Sequence, residues 1–354
     1  MHVTFLYNEA AEDPANIAED DPPANSPEVA ALVRLGHEVT SIACTLDLAA
    51  VRRRLDRLKP DVAFNRVESL GGSDALAAAI TLLLDAMQIP YTGCPTNALV
   101  STASKLAVKE RLVRAGLPTP RWISEDFRLR TQEISDSSFL APRSSLLSKF
   151  ILKSVFEHAS FEMDDDAVIE PCSPSEIARV VHERSTLAGR PFFAEKFIEG
   201  REFNLSLLGE EPQVLPPAEI DFSAFTPNKP RIVGYGAKWD ATSFEFQNTP
   251  RRFDFPAADA PLVRRLSELA VECWRLFDLS GYARIDFRCD AAGEPWILEV
   301  NANPCISPAA GYAAALDQAG LSYDDAIQRI LDIALPPSAR SATPPATHQP
   351  LPIC

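Results

Sequence analysis

The chain has 354 residues, 46% of them hydrophobic and 23% charged, with a formal net charge of −15. Such acidity argues against nucleic acid or an anionic membrane surface as a partner, and no apolar run reaches the roughly 18–20 residues that span a bilayer. The seven cysteines are scattered without CxxC spacing, which argues against a zinc site or a disulfide framework and fits a reducing cytoplasm.

The length accommodates two or three modest domains. The opening segment MHVTFLYNEA lacks a basic n-region and a cleavage site, so VTFLY reads as a strand and not as part of a signal peptide. The acidic AEDPANIAEDDPPANS follows as a mobile loop at the sheet's carboxyl edge, where ligands tend to bind. PEVAALVRLG predicts a helix ending at Gly36, HEVTSIAC a strand, LAAVRRRLDRLKP a helix stopped by Pro60, and DVAFNRV a third strand. DALAAAITLLLDAMQ is an almost unbroken apolar helix with room for a homodimer contact, and IPYTG is expected as a short fourth strand. This alternation predicts a parallel sheet covered on both faces; without GxGxxG after the first strand, the usual dinucleotide fold is not supported.

The helix SKLAVKERLVRAG and the segment LPTPRWI lead into a second unit, interrupted from Glu125 to Ser148 by an uneven polar surface excursion. FILKSV reads as a strand, EHASFEMDDDAVI as a loop and return, PSEIARVVHERSTLAG as a helix and PFFAEKFI as a strand. GREFNLSLLG opens a third unit, with PAEIDF and YARIDFR as further strands and PLVRRLSELAVECWRLFD as its main helix. The proline-rich PPSARSATPPATHQPLPIC has no periodicity and reads as disordered.

Chemistry concentrates at two strand ends. Arg284 and Asp286 alternate in ARIDFR, so they share a face; Glu299 and Asn301 do the same in LEVNANP. A hairpin across DAAGEP would bring all four together. Two carboxylates and an amide oxygen are hard ligands suited to Mg²⁺, with Arg284 placed for an anion bridging to the metal; the alternative is a structural salt-bridged pair. Lys105 and Lys238 taken alone read as solvated lysines. Lys153 differs, because an ammonium inside the apolar FILKSV needs an acidic partner or a phosphate. EHASFEM, with Ser160 and no glycine, is a weak phosphate loop by spacing. AEKFIEGRE could offer backbone groups to a base and a carboxylate to ribose, or be a plain turn.

The ordered set Lys105, Lys153, EKFIEGRE, YGAKW, RIDF and LEVNANP, from about Pro60 to Leu335, resembles the ATP-grasp superfamily in its D-alanine–D-alanine ligase-like branch. The resemblance implies an α/β and α+β architecture: a parallel-sheet domain (1–103), then two α+β units (104–199 and 200–335) gripping ATP, and a tail (336–354). It implies phosphate contacts from Lys105, Lys153 and Lys238, an adenine hinge at Glu195, Lys196, Phe197 and Ile198, and Glu202 on the ribose. It further implies Asp286, Glu299 and Asn301 as ligands of Mg²⁺ (Mn²⁺ as substitute), Arg284 on the acyl phosphate and tetrahedral intermediate, and Ser160 in a mobile phosphate loop.

The implied activity is an ATP-dependent ligase: a carboxylate attacks the γ-phosphate, and an amine then attacks the acyl phosphate to give an amide. Partners would be ATP and amino-acid or peptide substrates. The alternatives are a ligase with another nucleophile, or a non-catalytic ATP-binding module. Cys305 stands where the family has a glycine and Ala310 where it has a serine. The phosphate loop carries His158 and Phe161 in place of the family's glycines, and the glycine-rich, Glu-containing N-terminal loop is absent. The product is therefore expected to differ from D-alanyl-D-alanine. Cys305 itself reads as packing, as an altered oxyanion turn or as a reactive thiol.

Overall fold

The computed structural model describes residues 1–8, 26–124, 149–157, 160, 163–171 and 173–340. The acidic loop after the first strand, the 125–148 excursion, most of EHASFEM and the segment beyond Arg340 lie outside these described residues.

The first unit comprises β1 (His2–Asn8), α1 (Pro27–Arg34), β2 (Glu38–Cys44), α2 (Leu48–Leu58), β3 (Val62–Arg66), α3 (Ala78–Met87) and α4 (Thr96–Thr102). Its strands form a parallel sheet in the order β2-β1-β3. Two of its helix starts have a side-chain cap: Ser26 caps α1 through the Val29 amide, and Asp47 caps α2 through that of Ala50. IPYTG does not become a fourth strand. It makes only a single parallel bridge from Tyr91 to Ala63, because Pro90 has no amide hydrogen to extend the ladder and Gly93 turns away at φ +92°. DALAAAITLLLDAMQ splits into a short 3₁₀ turn, Asp74–Leu76, and α3.

The sheet is covered on both faces, as its apolar strands require. On one face Leu6, Ile42 and Ala63 pack against Val51 and Leu55 of α2 and Ile80 and Leu84 of α3. The other face, with Val3, Phe5, Val62 and Phe64, takes α1 and a helix from the far end of the chain.

The second unit has α5 (Lys105–Arg114), β4 (Trp122–Ser124), β5 (Phe150–Ser154), β6 (Val168–Ile169), α6 (Pro174–Ala188) and β7 (Phe192–Lys196), with an antiparallel sheet in the order β4-β7-β5-β6. Helix α6 covers one face through Ile177 and Val181 against Leu152, Phe192 and Ala194. The third unit has β8 (Arg201–Gly209), β9 (Gln213–Val214), β10 (Ala218–Ile220), α7 (Tyr235–Trp239), α8 (Phe244–Gln247), β11 (Arg251–Arg252), α9 (Ala260–Leu276), β12 (Gly281–Cys289) and β13 (Pro295–Asn301). Its sheet runs β11-β10-β8-β12-β13, with β9 on β8. Leu266, Leu269, Ala270, Cys273 and Trp274 of α9 seal one face against Phe203, Leu205, Ile285 and Phe287. The other face is polar and looks toward the second unit.

Two helices follow β13: α10 (Gly311–Gln318) and α11 (Tyr323–Ala334). Ile327, Ile330 and Leu331 of α11 are at most 1% exposed and lie on the first unit's sheet. Each such side chain contributes about 1.5–3 kcal/mol of burial, so the last helix is integral to the first domain's core. Beyond it Arg340 still bonds the Leu335 carbonyl and pairs with Glu210. Among the described residues no helix is long and apolar enough to cross a membrane.

Candidate active site

The predicted hairpin forms. β12 and β13 pair antiparallel with Asp286 opposite Glu299 and Arg284 opposite Asn301. Side chains alternate along a strand, so these four groups share the polar face while Ile285 and Val300 point into the core. The register shifts after Asp286, leaving Leu298 as an extra residue; this bulge directs Leu298 into the cleft beside Glu299. On the other side β8 contributes the next row, with Asn204 opposite Asp286 and Glu202 opposite Arg288.

Both oxygens of Asp286 are engaged. Arg284 donates to both its oxygens, from Nε to Oδ1 at 2.8 Å and from Nη2 to Oδ2 at 2.9 Å, and Asn204 donates to Oδ1 at 2.8 Å. Asn301 accepts the Asn303 amide at 3.0 Å, which shapes the turn after the strand. Glu299 faces Lys105, with 3.6 Å between Oε1 and Nζ.

Lys105 is the first residue of α5, placed there by the Ser104 cap, and its ammonium also donates to the Glu157 carbonyl. Lys238, on the short helix α7, points into the same group. Burial lowers its pKa first and Arg284 lowers it further, with Glu299 and Asp286 opposing and Lys105 adding to the decrease. Burial together with the neighbouring Arg284 and Lys105 thus outweighs the two carboxylates at Lys238. A polyanion bound there would offset that positive charge.

Lys153 receives the acidic partner its strand demanded: Glu195 of β7, with 2.8 Å between Nζ and Oε1. Glu195 is also ion-paired with Lys109 of α5, and both of these side chains are 1% exposed. Two ammoniums therefore share one carboxylate. Burial pushes Lys109 down to about 8, with Glu195 opposing and Lys153 adding to the fall. Burial acts to raise the Glu195 pKa, but the two lysines outweigh it and hold the carboxyl below its ordinary value. Lys153 and Glu195 border a cavity of about 50 Å³ that Phe197, Ile198, Glu202 and Arg288 also line, among others.

Along Glu195–Ile198, the segment expected to meet the base, the surroundings differ from residue to residue. Lys196 is exposed and its amide bonds the Arg121 carbonyl; the Phe197 amide bonds the Lys149 carbonyl. Ile198 is buried, and its carbonyl accepts from Arg288 at 2.7 Å. Gly200 follows at φ +148°, where a Cβ would lie 1.9 Å from the Cys289 carbonyl oxygen. Gly200→Ala should therefore lower stability by more than about 1 kcal/mol, and an unchanged urea midpoint would contradict this packing. Ser160 lies at φ +57° and donates to the Val233 carbonyl at 3.0 Å, linking its loop to the segment that carries Lys238.

The turn after β13 meets the carboxyl end of the first sheet. Tyr282 donates to Asn303, and Asn303 donates to the Val67 carbonyl. Cys305 Sγ lies 3.2 Å from Ser307 Oγ and 3.9 Å from Arg66 Nη2. Arg66 is itself held by Glu28 at 3.4 Å and Glu68 at 2.9 Å. Ala310 caps α10 without a side-chain bond. A larger concavity of about 600 Å³ lies elsewhere, around Gly200, Asp259, Arg265 and the Asp290–Glu294 turn. None of the metal or phosphate candidates lines it, whereas Lys153 lines the smaller cleft.

Residues 172–332 match the family model described as D-ala D-ala ligase C-terminus. The chain is 28% identical over 325 residues to the D-alanine–D-alanine ligase of Moorella thermoacetica, covering 89% of this chain and 94% of that one. It is 29% identical over 308 residues to the corresponding ligase of Carboxydothermus hydrogenoformans, covering 86% and 90%. The fold matches the crystal structure of the Bacillus anthracis D-alanine–D-alanine ligase complexed with ATP, at a TM-score of 0.68 and 18% identity over 94% of this chain and 97% of that one. The chain resembles D-alanine–D-alanine ligases in sequence and shares their fold.

In this ligase-like chain the donor set suits a hard cation. Asp286, Glu299 and Asn301 present oxygen donors on one face; Asp286 Oδ1 accepts two hydrogen bonds, whereas Asp286 Oδ2 and Asn301 Oδ1 each accept one among the described residues and keep a lone pair. Among the described residues no three His, Cys, Asp or Glu side chains gather for a metal. With two carboxylates and an amide, such a site depends on phosphate oxygens or water to complete its shell, as Mg²⁺ sites do. The sequence reading overlooked Lys109, Asn204, Arg288 and Arg66. Lys109 had a signal: Lys105, Val108, Lys109 and Leu112 all fall on the buried face of α5. Asn204 alternates with Glu202 in REFNLS, so it shares the face of the ribose candidate.

Proposed function

We propose that the chain is an ATP-dependent carboxylate–amine ligase, using Mg²⁺ (Mn²⁺ as substitute) and acting on amino-acid or peptide substrates other than a pair of D-alanines. The observation that carries this reading is one sheet face on which Arg284 and Asp286 oppose Asn301 and Glu299, bordered by Lys105 and Lys238. The relatives, named as D-alanine–D-alanine ligases, support the reaction class.

Asp286, Glu299 and Asn301 would hold the metal, which when bound supplies Lewis-acid charge at the phosphate oxygens. Lys105, Lys153 and Lys238 bind the phosphates, and an anion among them offsets the positive charge of Arg284 and Lys105 that adds to burial in depressing Lys238. The Glu195–Ile198 segment meets the base and Glu202 the ribose. The substrate carboxylate attacks the γ-phosphorus and ADP leaves. An amine then attacks the acyl carbon and phosphate leaves, so ATP, acid and amine become amide, ADP and phosphate with loss of one proton. Arg284 stabilises the acyl phosphate and the tetrahedral oxyanion. Ser160 is assigned to the phosphates through its hydroxyl.

A changed product is supported by Cys305, by Ala310 and by the ion-paired Arg66 against the turn that follows the metal strand. Incubation with ATP, Mg²⁺ and pools of amino acids should release phosphate with at least one pool. ATP binding without ADP formation in any pool would instead support a non-catalytic module. No protein nucleophile is needed, because phosphorylation already activates the acyl group. Cys305→Ala should therefore keep turnover within about tenfold of the parent; complete loss with an intact fold would reinstate a covalent role. The scattered cysteine spacing supports a cytoplasmic setting. The exposed Leu82 of α3 and Val100 of α4 are where we place a homodimer contact, which light scattering after gel filtration would test.

A further inference from the structure

We infer that Arg288 is a positioning residue that fixes Glu202 and the hinge so that the site selects a nucleotide bearing ribose hydroxyls. The inference rests on the proposed nucleotide-binding reading and extends it to a residue outside the set of phosphate, metal and base contacts. Arg288 is only 3% exposed, yet it lines the cleft. It lies directly opposite Glu202 in the β12–β8 ladder, so the two side chains leave the sheet on the same face. Its Nε and Nη2 donate to one carboxylate oxygen, Oε2 of Glu202, at 3.1 and 3.0 Å. Nη1 donates to the Ile198 carbonyl at 2.7 Å, and Nη2 also reaches the Arg231 carbonyl. The guanidinium carbon lies 4.6 Å from the centroid of the Phe197 ring, so the hinge is gripped at its backbone and its aromatic side chain.

The asymmetry of this grip is the informative point. Both guanidinium bonds to Glu202 fall on Oε2, and Oε1 makes no hydrogen bond among the described residues. Arg288 thereby balances the charge of a carboxylate in a tight cleft while leaving one oxygen able to accept from a hydroxyl. A planar guanidinium does this better than an ammonium, because it can bind the acid and the hinge carbonyl at once in a fixed geometry. The distance between the base-reading hinge and the ribose-reading acid is then set by a single rigid group.

The test is calorimetric titration of the full chain with Mg²⁺–ATP and with its analogue lacking both ribose hydroxyls. The parent should prefer ATP by about tenfold or more, the worth of a hydrogen bond to a charged group. Arg288→Met should reduce that preference to about twofold or less, Glu202→Gln should do the same, and the double variant should lose no further discrimination. Arg288→Lys keeps the charge without the fork. It should discriminate at an intermediate level, and it serves as the deciding variant if Arg288→Met does not fold. Equal proportional losses for both nucleotides, with the preference intact, would reduce Arg288 to a structural role and overturn the inference. ATP binding by the parent without any preference would also overturn it while sparing the nucleotide site. Failure of the parent to bind ATP at all would refute the proposed function and this inference together.

Discussion

Glu299→Gln is expected to reduce ATP turnover at least ~10²-fold while leaving the fold unchanged, since a preorganised group acting on transition-state charge is typically worth 10²–10³ in rate. The substitution keeps side-chain volume and hydrogen-bonding capacity but removes the negative charge opposite Asp286. With Glu299 neutral, the cluster of Lys105, Lys238 and Arg284 is balanced by Asp286 alone, and a divalent cation loses one of its two carboxylates. ATP affinity in the absence of Mg²⁺ should change little or rise, because phosphates then face less negative charge. This separates the variant from a misfolded one. Phosphate release on the substrate pools, with circular dichroism as the fold control, measures the effect, and retained turnover would refute the metal assignment.

Lys109→Met is expected to destabilise the chain by about 3–5 kcal/mol, the usual cost of removing one partner from a buried ion pair. Glu195 would keep only Lys153, in a site where it is 1% exposed. Thr119 would lose its donor as well: Lys109 Nζ bonds Thr119 Oγ1 at 2.9 Å, and Thr119 passes the link to the Ile297 carbonyl on β13 at 2.9 Å. Lys109 thus joins Glu195 of β7 to the strand bearing Glu299. The double variant Lys109→Met with Glu195→Gln should recover part of the loss, since it removes the uncompensated charge.

The pH dependence has a definite sign. Lys109 is lowered to about 8 from 10.5, so between these values the unfolded chain holds a proton that the folded chain has released. Stability from this group should therefore rise with pH across that window. Glu195 is lowered, so its contribution is present above 4.5 and is lost as pH falls through its folded value. Urea melts across the alkaline range compare parent and variant; an identical slope in Lys109→Met would contradict the assignment.

Much of the site was legible because β-strand alternation is a strong geometric rule. ARIDFR and LEVNANP each place two functional groups on one face, and the short DAAGEP turn forces the pairing that unites them. Lys153 was equally informative, since a lysine in an apolar strand demands a counter-charge and Glu195 supplies it. What stayed hidden depends on long-range packing. YDDAIQRILDIA has clear helical spacing, but nothing local says that it completes the first domain's core. IPYTG has strand-like composition, yet Pro90 and Gly93 confine it to one bridge. Lys109 reads as a surface lysine until its helix face is known to be the buried one. The role of Arg288 depends on pairing with β8, eighty-odd residues earlier in the chain.

The most direct measurement follows heavy oxygen from a labelled substrate carboxylate. If an acyl phosphate forms on the face bearing Arg284, Asp286, Glu299 and Asn301, phosphate released from ATP must carry one labelled oxygen per turnover, in step with amide formation. Phosphate released without the label, its new oxygen drawn from water, would contradict the ligase account and reduce the reaction to ATP hydrolysis.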